Sequence, residues 1–417
     1  MGKSAVGACL SQRMSILKEG ILLTKRGFLA NVVFFFAYFT THYVFSYYLS
    51  EQVIAPTGFD PHVAQAVLNF AMAFVLATTG FRLNKINPLR AIYTFSATSV
   101  ATIVLLFLLS GSAIDWLIVF AAGISLALGQ LAFFLYFWRT TVQDERARIG
   151  GLIGLISLPF YFGAIVVTPS LDLGGTILLS TILILTTFCV ALLRPSQALL
   201  KINVGAEITL EKRTIVLYSI PWIVFSLVNA TLARNTSLVI SQQISSSFYS
   251  SLVLAQLFAT LIGVFMGGFV ADFLGRRPAL AISLTLYGLS SALPGLFNNE
   301  LAFLSAYVAN GFGWGFLLIL YSFVIWGDMS NKSNSAKMYS IGLIIFYVGA
   351  GVGFLTTDAF ELPLIVSSLA SCLLIFLSNM PIVVAPELSP PDFREKIALK
   401  MHLKAIKKVK RESQNRT

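Results

Sequence analysis

The stretch 268–277, with the sequence GFVADFLGRR, concentrates charge and glycine between two long apolar runs. Its charged residues and glycines are Gly268, Asp272, Gly275, Arg276 and Arg277. Charges this close to hydrocarbon are costly unless paired, so a carboxylate here needs hydrogen bonds from a guanidinium group or from the free N–H groups of a helix N-terminus. The glycines allow two helix ends to approach and the chain to reverse. We therefore predict a tight charged turn at one membrane surface.

Polar side chains well inside the apolar segments are few. His42 is the only readily titrating one there, and no Asp or Glu accompanies it. The others are Tyr38, Thr41, Gln130, Asn229, Gln256, Asn310, Trp314 and Tyr347. In lipid such groups are expected to face the protein interior. Each of these side chains could form a hydrogen bond to another helix or could contact a ligand.

No arrangement of residues indicates catalysis. The sequence has no nucleotide-binding glycine loop, no cluster of metal ligands and no nucleophile spaced from a base. The three histidines and three cysteines are scattered along the chain. We therefore predict that the protein is not an enzyme, and that it has no catalytic residue, metal site or cofactor.

The elements that must carry these residues are membrane helices. The chain of 417 residues is 57% hydrophobic and 11% charged, whereas soluble domains have roughly 25% charged residues. A spanning helix needs roughly 20 mostly apolar residues. Twelve such segments are predicted, at 27–49, 62–80, 91–111, 114–138, 149–168, 173–193, 214–233, 249–273, 279–297, 301–326, 336–357 and 362–384. The predicted fold class is an all-α membrane protein with twelve transmembrane helices.

The distribution of charge predicts the orientation in the membrane. With the N-terminus inside, all Lys and Arg except Arg234 fall in the tails or in cytoplasmic loops, while the external loops are acidic. This is the bias that the positive-inside rule requires. The net charge of +11 is therefore explained by topology and not by nucleic acid. We predict a multi-pass protein of the plasma membrane with both termini in the cytoplasm.

An internal repeat divides the helices into two sets of six. The tetrapeptide IGLI occurs at 153–156 and again at 341–344, and other residues match at the same offset without a gap. The repeat therefore predicts two six-helix halves that have the same orientation in the membrane. The predicted organisation is an N-terminal tail, a first half, a cytoplasmic linker, a second half and a basic tail, at 1–26, 27–194, 195–213, 214–384 and 385–417.

Two parallel six-helix repeats with this charged loop resemble the major facilitator superfamily. The family's loop signature is Gly, three residues, Asp, two residues, Gly, Arg and Arg or Lys, and 268–277 matches it fully between helices 8 and 9. The first-half copy departs from the signature. Gly80 is kept, but Asn84 replaces the acid, Asn87 replaces the second glycine and the arginines are lost. The chain fits neither the drug–proton antiporters nor the sugar porters, so no subfamily is assigned.

The resemblance implies that Asp272 meets the start of helix 5 in the opposite half. Arg146 and Arg148 precede that helix and could pair with the carboxylate, so a latch between the halves on the cytoplasmic side is expected. The alternative is a turn whose charges only set the topology. In the first half Asn84 would approach the start of helix 11 without a charge, so the latch is expected to be asymmetric.

The resemblance also implies a substrate cavity at the middle of the bilayer, lined mainly by helices 1, 4, 7 and 10. It makes the polar residues of the spans candidates for binding substrate, and His42 for proton transfer or for a simple interior hydrogen bond. Because no Asp or Glu lies well inside a span, we predict facilitated diffusion, or symport through His42, of a small neutral, amphipathic or weakly charged organic solute. The alternative is a transport-inactive receptor or scaffold.

The remaining predictions concern partners. The chain is expected to be a monomer in the bilayer and to bind no nucleic acid. In the tail, 398–411 has an apolar face and a face of Lys and Arg, which is typical of a helix on the anionic inner leaflet. A disordered solvated tail is the alternative.

Overall fold

The computed structural model describes residues 23–54, 60–80, 82, 87–109, 115–193, 212–243, 246–297, 299–331, 333–356 and 363–388. The N-terminal tail before this range, most of the predicted linker, Asn84 and the basic tail lie outside the described residues. Within them, twelve helices are long and apolar enough to cross a membrane, which confirms the predicted number.

The spanning helices are α1 (Lys25–Tyr47), α2 (Pro61–Thr79), α3 (Pro88–Leu109), α4 (Asp115–Thr140), α5 (Arg146–Val167), α6 (Leu173–Leu192), α7 (Lys212–Gln243), α8 (Ser246–Phe273), α9 (Arg276–Leu296), α10 (Glu300–Ile319), α11 (Ser335–Thr356) and α12 (Leu364–Val384). A π-helical turn, Tyr48–Ile54, continues α1. Another, Leu320–Val324, continues α10 into a last short turn, Ile325–Asp328.

Most helix limits lie within a few residues of the sequence-based boundaries, and three of the differences are informative. Helix α5 begins at Arg146 and not at residue 149, because the arginines of its first turn are paired and can stay helical. Helix α10 reaches Asp328 through its π turn for a similar reason. Helix α7 continues ten residues past the predicted end at 233, to Gln243. Its 32 residues span about 48 Å, longer than the roughly 30 Å of hydrocarbon, so its last turns extend beyond the hydrocarbon.

The two halves pack their helices alike, as the repeat predicted. In the first half α4 packs on α2 and α3, and α1 packs on α5 and α6. In the second half α10 packs on α8 and α9, and α7 packs on α11 and α12. A Cβ at Gly123 would lie 2.7 Å from Ala71 Cβ, and one at Gly311 would lie 2.9 Å from Ala259 Cβ. Both contacts are shifted by the same 188 residues, so the helices approach equally closely in each half.

The halves meet along two equivalent helix pairs, α5 with α8 and α11 with α2. Gly268 of α8 lies directly on the carbonyl of Ala147 in α5, and Gly80, which follows α2, lies on the side chain of Ser340 in α11. In both places a Cβ would collide with the opposite half, so glycine is what allows the contact. The interface places the charged turn of the second half against the start of α5.

Candidate functional site

The turn between α8 and α9 positions Asp272 and Arg276. Asp272 lies in the last turn of α8, and Arg276 is the first residue of α9. Gly275 between the helices has φ 112° and ψ 164°, a conformation that is essentially restricted to glycine. The sharp reversal folds Arg276 back, so that its guanidinium donates to Asp272 and, at 2.8 Å, to the carbonyl of Ala271.

Asp272 also binds the first turn of α5 in the opposite half. Its Oδ2 accepts from the backbone N–H of Arg148 at 2.9 Å and from Arg148 Nε at 2.9 Å. Arg148 is the third residue of α5, so this backbone N–H is one of the groups at a helix N-terminus that have no partner within the helix. The carboxylate therefore interacts with both the guanidinium and the positive end of the helix dipole.

Asp328 is a second acid in this site, and it was not among the residues predicted from the sequence. Its Oδ2 accepts from Arg276 Nε at 2.8 Å, and its Oδ1 accepts from Arg146 Nη1. Arg276 thus bridges the two acids, while each acid also holds one arginine of the first half. We call the five side chains the ion-pair network: Arg146, Arg148, Asp272, Arg276 and Asp328.

The ion-pair network is almost completely shielded from solvent. Each of its side chains is at most 5% exposed. Remaining guanidinium N–H groups donate to backbone carbonyls, including Arg276 Nη2 to Gln143 at 2.7 Å and Arg148 Nη2 to Asp144 at 3.1 Å. Removing one member of a buried pair costs about 3–5 kcal/mol, because a charge is left without its partner. The network is therefore a strong connection that must break as a unit if the halves separate here.

Arg277 behaves differently from Arg276. It is exposed, and its Nη1 donates to Ala385 O at 3.2 Å, beyond the end of α12. Glu387 caps α9, since its carboxylate accepts from the backbone N–H groups of Arg276 at 2.7 Å and Arg277 at 3.2 Å. The second arginine of the motif therefore lies on the rim of the site, outside the ion-pair network.

An aromatic layer lies beside the ion-pair network, around Phe323 in the π turn of α10. Its ring centroid is 5.5 Å from Phe35, 5.7 Å from Phe133, 5.5 Å from Phe134 and 4.6 Å from Phe137. The four surrounding rings belong to α1 and α4 of the first half. The five rings are buried, so they fill the space between the halves beside the ion-pair network with apolar surface.

The first-half copy of the turn has no comparable network among the described residues. Asn87 caps α3, because its Oδ1 accepts from the backbone N–H of Leu89 at 3.0 Å. Arg82 is exposed. Asn84 lies outside the described residues, so its predicted approach to the start of α11 is not described.

Five of the nine predicted cavity residues lie on α1, α4 and α11, and four of these five lie together between the halves. Gln130 of α4 and Tyr347 of α11 are hydrogen-bonded through Gln130 Oε1 and the Tyr347 hydroxyl. The His42 ring lies between two tyrosines, with centroids 6.1 Å from Tyr38 and 6.5 Å from Tyr347. Thr41 is buried, and its hydroxyl has no hydrogen-bond partner among the described residues.

The other four lie on helices of the second half. Asn229 Oδ1 accepts from Trp314 Nε1 at 3.2 Å and from the Tyr287 hydroxyl at 3.0 Å. Gln256 Nε2 donates to Asn310 Oδ1 at 2.7 Å. Tyr287, on α9, was not predicted, because helix 9 is not among those expected to line the cavity. In the part of the chain described, no group of three His, Cys, Asp or Glu could hold a metal.

A protein-family model matches the second half of the chain. Residues 213–411 match the model of the Major Facilitator Superfamily. No curated protein sequence matches the chain.

Solved structures share the fold at low sequence identity. An outward-facing bacterial homologue of the iron transporter ferroportin with soaked iron has a TM-score of 0.67 at 11% identity, covering 86% of this chain and 98% of that one. The proton:xylose symporter XylE, bound to 6-bromo-6-deoxy-D-glucose, has a TM-score of 0.64 at 11% sequence identity, and the match covers 89% of this chain and 97% of that one. The human organic anion transporter MFSD10 (TETRAN) has a TM-score of 0.60 at 14% sequence identity, and the match covers 86% of this chain and 98% of that one. The second half of the chain thus matches the model of the Major Facilitator Superfamily, and the chain shares the fold of these solved transporters.

Proposed function

We propose that the protein is a secondary-active or facilitative transporter that moves a small organic solute by alternating access of the rocker-switch type. The observation that carries the proposal is the ion-pair network. It joins the halves at one surface only, through buried charges, and the aromatic layer around Phe323 seals the same surface. A connection of this kind closes one end of a central path and can be broken as a unit, as alternating access requires.

Cysteine crosslinking across the halves tests the proposal directly. The pair Gly154→Cys and Val264→Cys, in α5 and α8 of opposite halves, should crosslink when the sealed surface is closed, because a Cβ at Gly154 lies 3.7 Å from Val264 Cβ. It should crosslink less when that surface opens. In proteoliposomes we expect partial crosslinking of the wild-type background and almost none once Asp272→Asn weakens the closed state. An exposed pair within one half, Val216→Cys and Ile220→Cys, is the control. A crosslink that is complete and insensitive to Asp272→Asn would contradict alternating access.

The proposed solute is neutral, amphipathic or weakly charged. Supporting this, the polar side chains between the halves are amides, phenols, an indole and His42, whereas the acids of the described spans lie at helix ends. A highly charged solute would enter without a buried counter-charge, at a large desolvation cost. Uptake of candidate solutes with and without a pH gradient separates facilitated diffusion from symport, and His42→Ala tests the proton role. Uptake that is independent of pH and unchanged by His42→Ala would exclude it.

A transport-inactive receptor or scaffold is the second candidate. It is favoured by the loss of the acid and the arginines from the first-half loop, since a protein that no longer cycles can lose one gate. Such a protein would stay in one state. The crosslinking experiment distinguishes the two, because a protein held in one state would give a crosslink that Asp272→Asn leaves unchanged.

We also propose the placement in the membrane. The bias of Lys and Arg supports a multi-pass plasma membrane protein with both termini cytoplasmic, tails at 1–26 and 385–417 and a linker at 195–213. The basic tail would lie on the anionic inner leaflet, and the protein would act as a monomer. Labelling of single cysteines in the tails by an impermeant thiol reagent on intact cells tests the orientation, and labelling from outside would overturn it.

A further inference from the structure

The side-chain amide of Asn229 on α7 is held in one orientation. Trp314 Nε1 and the Tyr287 hydroxyl both reach Asn229 Oδ1, at 3.2 and 3.0 Å. An indole N–H can only donate a hydrogen bond, so the Asn229 atom that faces Trp314 must be the carbonyl oxygen. The two bonds use both lone pairs of that oxygen. The Nδ2 group, with its two N–H donors, is therefore turned away from α9 and α10.

Asn229 faces away from lipid. The exposed apolar residues of α7 form a stripe at Val216, Ile220 and Ile223, which are 54%, 38% and 46% exposed. At about 100° per residue, Asn229 lies about 180–240° around the helix from this stripe. Asn229 is nevertheless part-exposed. Its accessible surface therefore borders a space inside the protein, between the helices.

The Nδ2 donors need a partner from outside the chain. Within the part of the chain that the structure describes, the hydrogen bonds of the Asn229 side chain are the two at Oδ1. A buried polar group without a partner costs about 1–3 kcal/mol. Water or a solute must therefore satisfy the two N–H groups, and a solute can do so only with a lone pair.

Near Asn229 lie the flat ring of Trp314 and a hydrogen-bonded pair of amides, Gln256 and Asn310. Asn310 and Trp314 lie one turn apart on α10 and so share a face of that helix. In the bond between Gln256 and Asn310 one amide donates and the other accepts, so the pair presents both carbonyl and N–H groups. Asn310 is also hydrogen-bonded to the Tyr287 side chain. Trp314 is part-exposed, so its ring offers a stacking surface. No carboxylate of the described spans lies in this region, because those acids are at helix ends.

We propose that the solute binds the second half through an oxygen acceptor that receives hydrogen bonds from Asn229 Nδ2. This inference rests on the proposed transport function and narrows its substrate class to neutral or anionic solutes with a carbonyl, carboxylate or hydroxyl oxygen. A solute whose only polar group is an ammonium is rejected, because donors would face donors with no acid nearby. Asn229 is the binding residue, and Trp314 and Tyr287 are positioning residues.

Equilibrium binding to the purified full-length protein tests the inference. The probes are matched triplets on phenyl, cyclohexyl and butyl scaffolds, each bearing a carboxamide, a carboxylate or an ammonium group. Binding is followed by quenching of tryptophan fluorescence and by thermal stabilisation. For the wild type we expect the carboxamide or carboxylate member of a triplet to bind at least about tenfold more tightly than the ammonium member, as one well-formed hydrogen bond allows.

The variants separate orientation from packing. Asn229→Asp keeps the Oδ1 acceptor for Trp314 and Tyr287 but replaces the donors with an acceptor, so the preference should reverse toward ammonium. The double variant Tyr287→Phe/Trp314→Phe keeps the rings but frees the amide to rotate, so the preference should fall below about threefold. Ser226→Ala, which removes a hydroxyl bonded to its own helix, is the matched control and should leave the preference unchanged.

Equal binding across the triplets, failure of every acceptor probe to bind, or an unchanged preference in Asn229→Asp would overturn the inference. The crosslinking experiment measures alternating access in the absence of solute, so its result does not depend on solute binding. A protein that cycles but shows no acceptor preference would refute this inference alone, whereas a protein that does not cycle would refute the proposed function.

Discussion

The loops after α2 and α8 occupy equivalent places in the two halves, yet they join the halves by different means. Gly80 and Gly268, which are 188 residues apart in the sequence, each let a helix of one half approach the other half closely. Among the described residues, the charges that pair across the halves at these two places come from the second loop. There Asp272 and Arg276 extend the contact into the ion-pair network, while Asn87 of the first loop caps its own helix.

The difference shows that close packing and locking are separate properties. Glycine at both contacts preserves the approach of the helices, and therefore the shape of the fold. Charge at one contact adds a connection that is costly to break in parts, because each acid is shared by two arginines. We expect the second-half loop to control opening and the first-half loop to act as a passive contact. The following predictions test that division.

The largest effect is expected from the acid itself. Asp272→Asn should reduce uptake by at least about tenfold, since removing one partner of a buried pair costs about 3–5 kcal/mol. Asn84→Ala should change uptake by less than about twofold, because a neutral hydrogen bond contributes about 1 kcal/mol. Transport would be measured in proteoliposomes at equal protein content. Equal losses in the two variants would refute the asymmetry.

Asp328→Asn tests whether the ion-pair network acts as a unit. Asp328 shares Arg276 with Asp272, so its removal should impair transport nearly as much as Asp272→Asn. The double variant should then be less than additive, as expected for residues of one network. Losses that multiply would mean that the two acids act separately.

The two acids also show what the sequence could predict. Twelve helices, the repeat and the charged loop followed from hydropathy, offset and a family signature, all of which are local or periodic. Asp328 was missed because its partners Arg146 and Arg276 are 182 and 52 residues away, and no signature links them. An acid at the end of helix 10 between otherwise basic surroundings was the one available signal.

The polar residues of the spans illustrate the same limit. Their composition predicted that they face the interior, but not which of them pair. Gln130 with Tyr347 and Asn229 with Trp314 join different helices, so their pairing depends on helix rotation. Tyr287 was overlooked because it comes from helix 9, which was not among the helices expected to line the cavity. The π turn at Leu320–Val324, which places Phe323 among four rings, has no recognisable sequence pattern.

Glycine substitutions test the shared part of the comparison. Gly268→Ala would push a methyl group against the backbone carbonyl of Ala147, which cannot move without shifting α5. Gly80→Ala would meet the side chain of Ser340. Both substitutions should lower the thermal midpoint, because overpacking costs about 1–3 kcal/mol of stability. Ser340→Gly should partly rescue Gly80→Ala, whereas a rescue of Gly268→Ala by trimming any side chain of α5 would contradict a backbone contact.

Gly275→Ala should have an intermediate effect. At φ 112° a side chain costs about 1–3 kcal/mol, and the strain would fall on the turn that folds Arg276 toward Asp272. Asn87→Ala in the first loop removes only a helix cap, which costs roughly 0.5–2 kcal/mol. Differential scanning fluorimetry gives the stability of both, and uptake separates them. We expect only Gly275→Ala to reduce transport beyond its loss of folded protein.

The smallest effects are expected from the exposed arginines. Arg277→Ala removes a bond to the Ala385 carbonyl at the rim, and Arg82→Ala removes an exposed charge from the first loop. Exposed charge contacts contribute about 0–1 kcal/mol, so each variant should keep uptake within about twofold of the wild type and respond little to salt. Arg276→Ala, one position away and buried, is the contrast and should resemble Asp272→Asn. If Arg277→Ala were as severe as Arg276→Ala, burial would not decide which charges lock the halves, and the motif would act through its exposed surface.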